Sequence, residues 1–132
     1  MNNIEIIVRL IIKSGDKILF CINKTTGNYY LPGGHAEFGD TLVETIYKEI
    51  FEELGWNKED IKNISYKAHL EQIYQKDKEG ELHHELNMIF EVTINDNIEI
   101  KSHESHINFE WLSMSTLNNY NIVPATIISF LS

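Results

Sequence analysis

The chain has 132 residues, which suits a single domain spanning residues 1–132, and 42% of them are hydrophobic, enough to form a core. The formal net charge of −9 disfavours nucleic-acid binding, which depends on cations that neutralise phosphates. No apolar run reaches the roughly 18 residues of a membrane span, no signal peptide is evident, and the only cysteine, Cys21, cannot form an intrachain disulfide, so we expect a cytoplasmic protein.

The N-terminal part of the chain has the pattern of successive strands. Residues 4–13 are rich in β-branched side chains and predict a buried strand. A turn at residues 14–16 and a second apolar run at residues 17–23 predict a hairpin. A short strand at residues 29–31 then leads into a Pro-Gly-Gly sequence.

The segment from Asp40 to Gly55 has the pattern of an amphipathic helix. Thr41 and Glu44 form a capping box at its start, and Gly55 is a typical C-cap. Apolar residues recur at every fourth position and three others widen the stripe, so we expect this face to pack on the core. The stripe consists of Leu42, Ile46, Ile50 and Leu54, widened by Val43, Tyr47 and Phe51.

The C-terminal half predicts further strands and short helices. Residues 64–75 and 82–94 are long strand candidates joined by a hairpin loop, and residues 107–112 form a third. A short helix is expected near residues 113–118, and a final helix carries Pro124 in its first turn. This order of elements predicts an α+β fold, with a mixed β-sheet sandwiched between helices in an α/β/α arrangement.

Three carboxylates crowd the end of the predicted helix. Glu49, Glu52 and Glu53 are spaced i, i+3 and i+4, so they share one helix face, where like charges repel. They also lie near the helix C-terminus, where the helix dipole disfavours anions. A bound cation would relieve both penalties, and ligands that are all oxygens favour Mg²⁺ or Mn²⁺. The alternative is the ordinary solvated face of a surface helix.

The loop before this helix is a second candidate feature. Gly33 and Gly34 permit a close approach of the backbone to a ligand, and Pro32 stiffens the start of the loop. His35 follows as a loop residue within possible reach of a substrate. A plain turn is the alternative, and a P-loop is excluded because no Gly-Lys-Ser/Thr sequence follows.

The stretch from Gly34 to Trp56 resembles the Nudix box, G-x5-E-x7-R-E-U-x-E-E-x-G-U, where U is apolar. Gly34 matches the first glycine, and the three helix glutamates match glutamates of the box. The remaining matches are Ile50, Gly55 and Trp56. The resemblance implies a single domain with the Nudix fold.

Two positions depart from the box. Asp40 stands where the family has glutamate, and Lys48 stands where it has arginine. In the family this arginine helps to orient a catalytic glutamate, and a lysine cannot form the bidentate pair of a guanidinium with a carboxylate. We expect Lys48 to pair instead with Glu52 or Glu44 on the same helix face.

The resemblance implies metal-dependent hydrolysis of the diphosphate linkage of a nucleoside diphosphate derivative, with Mg²⁺ or Mn²⁺ as cofactor. It implies that Glu49, Glu52 and Glu53 are metal ligands, joined by the backbone carbonyl of Gly34. The expected partner is a small molecule of nucleotide type, without stable nucleic-acid or membrane binding. A homodimer is compatible with the resemblance.

The general base stays open, because members of the family place it either within the box or in a later loop. Within the box, Glu52 and Glu53 are the candidates. Outside it, Glu104 is preferred and Glu85 is second. The alternative for Glu104 is an ordinary loop carboxylate.

Arg9 is the only arginine of the chain, and it interrupts an apolar strand, where an isolated charge would be costly. Its position resembles that of a substrate-side arginine on the first strand of the family. We therefore predict that Arg9, together with Gly33, Gly34 and His35, contacts the substrate. The alternative for Arg9 is a structural ion pair.

Three further interpretations concern the histidine pair and the class of protein. His83 and His84 are adjacent, so they should point to opposite faces of a strand, which argues against a zinc site. A nucleotide-sensing module without catalytic activity is an alternative function that the departures at Asp40 and Lys48 would explain. An interaction domain with a solvated acidic helix is a second alternative.

Overall fold

A computed structural model describes residues 3–75, 80–95, 98–100 and 107–131. In these ranges the chain forms a seven-stranded mixed sheet, one α-helix and three 3₁₀ helices. The strands are β1 (Ile4–Ser14), β2 (Lys17–Ile22), β3 (Tyr29–Tyr30), β4 (Gly33–His35), β5 (Ile61–Gln75), β6 (Leu82–Ile94) and β7 (Asn108–Ser113). The helices are α1 (Leu42–Leu54) and the 3₁₀ turns Lys58–Asp60, Met114–Asn119 and Ala125–Phe130.

β1 and β6 form the centre of the sheet and run parallel, from Ile4 paired with His84 to Lys13 paired with Thr93. The other ladders between named strands are antiparallel and give the order β3-β2-β1-β6-β5, with β4 added to β1 and β7 added to β2. The predicted hairpin of the first two strands is confirmed by the pairing of Lys13 with Ile18. The predicted strands over 64–75 and 82–94 are also confirmed as an antiparallel pair.

α1 begins and ends where its capping residues predict. The Thr41 hydroxyl accepts a hydrogen bond of 3.1 Å from the backbone N–H of Glu44. At the other end Gly55 has a φ of 73°, in the left-handed region, and its N–H donates to the Phe51 carbonyl at 3.0 Å. The sequence therefore fixes both ends of the helix locally.

The buried face of α1 is rotated relative to the predicted one. Ile46, Ile50 and Leu54 are fully buried, as predicted. The prediction that Val43 and Phe51 widen the apolar stripe is wrong, because they are 45% and 50% exposed. The other flank is buried instead, and it carries the polar residues Thr45 and Glu53. The flank with Glu53 thus turns toward the protein.

The core has one layer on each face of the sheet. Val8, Leu10 and Ile12 of β1 pack with α1, whereas Ile11, between them, belongs to the opposite layer, as strand alternation requires. This second layer is covered by 3₁₀ helices rather than by α-helices, and Ile127 of the last one is buried in it. The predicted mixed sheet between two helical layers is confirmed, with 3₁₀ helices instead of α-helices in the second layer.

The final helix differs from its prediction in type and in its start. It is the 3₁₀ helix Ala125–Phe130, and Pro124 is its N-cap rather than a residue of its first turn. Within the described residues, no helix is both long enough and apolar enough to cross a lipid bilayer.

Gly33 allows β4 to lie unusually close to β1. It pairs with Arg9 in the ladder, and a Cβ at this position would overlap the backbone carbonyl of Val8. The obstacle is backbone within a sheet, which cannot move aside as a flexible side chain could. Only glycine therefore fits here.

We predict that Gly33→Ala lowers the free energy of unfolding by about 1–3 kcal/mol, because the new methyl group forces the two strands apart. Urea unfolding followed by circular dichroism measures this loss. The matched control is Gly15→Asn in the β1–β2 turn, where φ is 61°, nothing lies within 4 Å, and asparagine tolerates the left-handed conformation. Equal losses from the two variants would contradict the steric explanation.

Candidate active site

The carboxylate of Glu49 lies directly against the backbone of Gly34. A Cβ at Gly34 would occupy the space of the Glu49 carboxylate carbon and both of its oxygens. The same glycine pairs with Val8 of β1, so the sheet fixes the position of the loop against α1. The glycine loop and the acidic helix, inferred separately from the sequence, are therefore parts of one site.

The three box carboxylates differ in exposure. Glu53 is only 7% exposed, Glu49 is half-buried, and Glu52 is exposed. The alternative of an ordinary solvated helix face does not hold for Glu53, since glutamate is rarely buried on a surface helix. Among the described residues these three carboxylates do not gather within 4.8 Å of one another, although they share the end of α1.

The residues present fit a hard divalent cation. The predicted donors, carboxylate oxygens and one backbone carbonyl, are the set that Mg²⁺ and Mn²⁺ prefer. The absence of a side chain at Gly34 leaves the space that the Glu49 carboxylate fills. Glu49, Glu52, Glu53 and the Gly34 carbonyl, which the family resemblance implies as ligands, stay predictions.

Lys48 pairs with the loop rather than with its own helix. Its Nζ lies 3.3 Å from Glu37 Oε2 and 4.0 Å from Asp40 Oδ2. The hydrogen bond with Glu37 is the main cause that raises the pKa of Lys48, and Glu52 contributes least. The expectation that Lys48 pairs with Glu52 or Glu44 is wrong, since the loop brings closer carboxylates. Lys48 and Asp40, the two departures from the box, thus contact each other.

A cavity of about 420 Å³ lies on the side of the sheet that carries the last 3₁₀ helix. Apolar side chains make up much of its wall, and a few polar groups face into it. Such a mixture is typical of small-molecule sites. The lining residues are Arg9, Asn28, Tyr30, Leu31, Leu70, Gln72, Tyr74, Glu85, Asn87, Val123, Pro124 and Ile127.

Arg9 lines this cavity and donates one hydrogen bond, from Nη1 to the Leu31 carbonyl at 3.1 Å. Within the described ranges, no carboxylate lies within the 4.0 Å of an ion pair with its guanidinium. The alternative of a structural ion pair for Arg9 therefore has no support there. A guanidinium that faces a cavity and has further N–H groups to donate is suited to bind an anionic ligand.

Tyr30 is a half-buried residue of the cavity wall. Burial raises the pKa of Tyr30 to about 12, with smaller increases from Cys21 and Glu53 and a decrease from the positive charge of Arg9. The Tyr30 hydroxyl is therefore within electrostatic range of both Glu53 on α1 and Arg9 in the cavity. The sequence offers Tyr30 only as one of several aromatic residues that could stack on a nucleobase, with core or rim packing as the alternative, because its contacts depend on how β3 packs.

Two polar residues of β6 also line the cavity. Asn87 is 4% exposed and donates from Nδ2 to the Leu70 carbonyl at 3.3 Å. Glu85 accepts a hydrogen bond of 3.0 Å from the Tyr74 hydroxyl. Burial and this hydrogen bond, in that order, raise the pKa of Tyr74. Sequence reasoning missed Asn87, although its spacing of two from Glu85 places both on one face of a strand.

The remaining predicted residues have separate surroundings. His35 is exposed at the end of β4, with Nε2 3.5 Å from Glu5 Oε1, and it is not among the cavity-lining residues. Gly33 has a structural reason to be glycine in its contact with Val8. Glu104 lies outside the described residues. The substrate contacts predicted for Gly33, Gly34 and His35 stay predictions.

The sequence matches the NUDIX domain family over residues 4–129, and the chain therefore belongs to the NUDIX family. A comparison with curated proteins found no match. The family membership agrees with the resemblance of residues 34–56 to the Nudix box.

Several solved structures share the fold at low sequence identity. A MutT protein from Bacillus halodurans superposes with a TM-score of 0.77 at 20% identity, over 98% of this chain and 81% of that one. A MutT NUDIX hydrolase from Burkholderia pseudomallei gives 0.71 at 17% identity, over 86% of each chain. An Ap4A hydrolase from C. elegans gives 0.66 at 19% identity, over 98% and 94%. These likenesses confirm the predicted Nudix fold.

We predict that Gly34→Ala weakens Mg²⁺ binding by roughly ten- to a hundredfold, because the methyl group displaces the Glu49 carboxylate. The fold should persist, since the atoms displaced are the end of a flexible side chain. Calorimetric titration with Mg²⁺ measures the affinity, and thermal unfolding checks the fold.

The control is a double-mutant cycle with Glu49→Ala. Once the carboxylate is removed, the alanine at position 34 has nothing to displace, so the second substitution should add little to the first. Additive losses of affinity would show that Gly34 acts independently of Glu49 and would contradict this geometry.

Proposed function

We propose that this protein is a metal-dependent hydrolase that cleaves the diphosphate linkage of a nucleoside diphosphate derivative. The observation that carries the proposal is the contact of the Glu49 carboxylate with Gly34, which joins the box helix and the glycine loop into one site. NUDIX hydrolases are in general pyrophosphohydrolases that use divalent metals, which supports the same reaction class.

The proposed ligands of Mg²⁺ or Mn²⁺ are Glu49, Glu52, Glu53 and the Gly34 carbonyl. When bound, the ion neutralises phosphate charge and lowers the pKa of a water molecule. This neutralisation matters here because a protein with a net charge of −9 would otherwise repel a diphosphate. α1 carries all three carboxylates, so one helix supplies every proposed side-chain ligand.

The cavity is the proposed binding site for the nucleoside part of the substrate. Its apolar wall suits an aromatic base, while Asn87 and Glu85 offer polar groups to the edge of that base. Arg9 is positioned to donate hydrogen bonds to a phosphate or to the base. Tyr30 lines the same cavity, and its pKa responds to the charges of both Arg9 and Glu53.

In the proposed reaction, a water oxygen attacks one phosphorus and the bond from that phosphorus to the bridging oxygen breaks. A glutamate accepts the proton of the water, and the second phosphate leaves as an anion. Glu52 and Glu53 are the candidates among the described residues of the box, and Glu104 is the candidate outside them. Glu85 is a weaker candidate, because its carboxylate already accepts a hydrogen bond from Tyr74.

We expect the protein with Mg²⁺ or Mn²⁺ to hydrolyse at least one member of a panel of nucleotides. The panel contains nucleoside triphosphates, ADP-ribose, nucleotide sugars and dinucleoside polyphosphates, with phosphate products separated by ion-exchange chromatography. Glu52→Gln and Glu53→Gln should each lower kcat by about a hundredfold or more, the usual contribution of a general base.

The matched control for these variants is Glu59→Gln, which changes an exposed glutamate on a 3₁₀ helix outside the box. It should leave kcat unchanged. A panel without turnover, combined with nucleotide binding in calorimetry, would favour the nucleotide-sensing module instead. Undiminished activity in both glutamine variants would contradict the assigned site.

We predict that Arg9→Gln raises KM by roughly ten- to a hundredfold, the worth of a charge-assisted hydrogen bond to the substrate. Steady-state kinetics on the best panel substrate measures the change. Lys62→Gln, which also removes one positive charge but from an exposed position on β5, should leave KM unchanged. Equal effects of the two variants would mean that Arg9 acts only through overall charge.

A further inference from the structure

A second group of metal-ligating side chains lies away from the box. Glu5, His83 and Glu85 each offer one ligand atom, and these three atoms lie within 4.8 Å of one another. All three residues are half-buried. Among the described residues, no other three histidine, cysteine or carboxylate side chains meet this distance.

The register of the sheet creates this group. Glu5 of β1 is paired directly with Glu85 of β6 in the parallel ladder, and His83 precedes Glu85 by two residues. Residues two apart on a strand point to the same face, so all three side chains lie together. His84, between them, points to the other face, where its Nε2 lies 2.7 Å from Glu71 Oε2.

One neighbouring aromatic residue, Tyr74, contacts two of these side chains. The Tyr74 ring stacks on the His83 ring at 5.5 Å with an interplanar angle of 17°. The Tyr74 hydroxyl donates to Glu85 Oε1 at 3.0 Å. Outer contacts of this kind orient ligand side chains in metal sites. Tyr74 therefore supports both an imidazole and a carboxylate of the group.

His35 adds a second imidazole close to the same carboxylate. Its Nε2 lies 3.5 Å from Glu5 Oε1, while Nδ1 of His83 lies 3.6 Å from Glu5 Oε2. The two histidines thus approach Glu5 from different strands. His35 is largely exposed and can adjust its side chain without disturbing the core.

We propose that Glu5, His83 and Glu85 bind a transition-metal ion of the Zn²⁺ class, with His35 as an additional ligand. Imidazole nitrogen combined with carboxylate oxygen favours such ions over Mg²⁺, which prefers oxygen alone. The site is separate from the box carboxylates and does not rest on the proposed hydrolysis. Because Glu85 also lines the cavity, the ion would lie beside the molecule bound there.

The competing interpretation is that Glu5 only forms ion pairs with the two histidines. Such pairs need protonated imidazoles, whereas a metal ion needs neutral ones. Binding of Zn²⁺ at pH 7.5 separates the two interpretations. Variants of the box glutamates distinguish this site from the box, since they leave Glu5, His83 and Glu85 unchanged.

The test uses the untagged full chain, because a polyhistidine tag would itself bind Zn²⁺. In a Glu49→Gln, Glu52→Gln, Glu53→Gln background, calorimetric titration should still show binding of one Zn²⁺ ion. Adding His83→Gln should weaken this binding by more than about tenfold, since a direct ligand is lost. The matched control is His84→Gln, the adjacent histidine on the opposite face, and it should retain the affinity.

A second measurement covers the case in which the triple variant does not fold. Wild-type protein with excess Mg²⁺ is titrated with Co²⁺, whose visible absorption reports nitrogen and oxygen ligation. His83→Gln should remove this absorption and His84→Gln should keep it. Absence of Zn²⁺ and Co²⁺ binding to folded protein, or equal binding by the His83 and His84 variants, would overturn the proposal.

Discussion

The close packing of Gly33 and Gly34 between β1 and α1 is the constraint on which the candidate site depends. On one side the backbone at Gly33 lies against the Val8 carbonyl, and on the other Gly34 lies against the Glu49 carboxylate. A side chain at either position would separate the sheet from the loop or the loop from the helix. The two glycines therefore do more than make a turn: they set the distance between the sheet and the acidic end of α1.

Charge distribution makes the position of Arg9 informative. The protein has a net charge of −9 and a single arginine, and that arginine lines the cavity rather than the outer surface. Desolvating a guanidinium costs free energy, and one hydrogen bond to the Leu31 carbonyl offsets only part of that cost. An anionic ligand would offset the rest, which connects the cavity with the phosphate chemistry proposed for the carboxylates.

Local signals in the sequence predict most of the fold, whereas contacts between distant elements are harder to predict from the sequence. Thr41 and Gly55 define the ends of α1 through hydrogen bonds to residues three or four positions away, so the local sequence is enough to predict both ends. The partner of Lys48 was predicted wrongly because Glu37 reaches it from a loop whose path the helix pattern does not contain. The buried flank of α1 was misjudged at Val43 and Phe51 for a similar reason, since hydrophobicity alone does not show which flank meets the sheet.

The group around His83 is the clearest case of a contact between distant elements that the sequence pattern does not reveal. It also shows how one strand, β4, can contact two proposed ion-binding environments. The adjacent histidines alone argued against a metal site, because Glu5 comes from β1, more than half of the chain away. β4 then relates the two environments, since Gly34 contacts Glu49 on the α1 side while His35 contacts Glu5 on the cavity side. Strand alternation requires neighbouring residues to face opposite ways, so the two groups cannot merge. Their different donors, oxygen alone near Gly34 and nitrogen with oxygen near His35, then favour different ions.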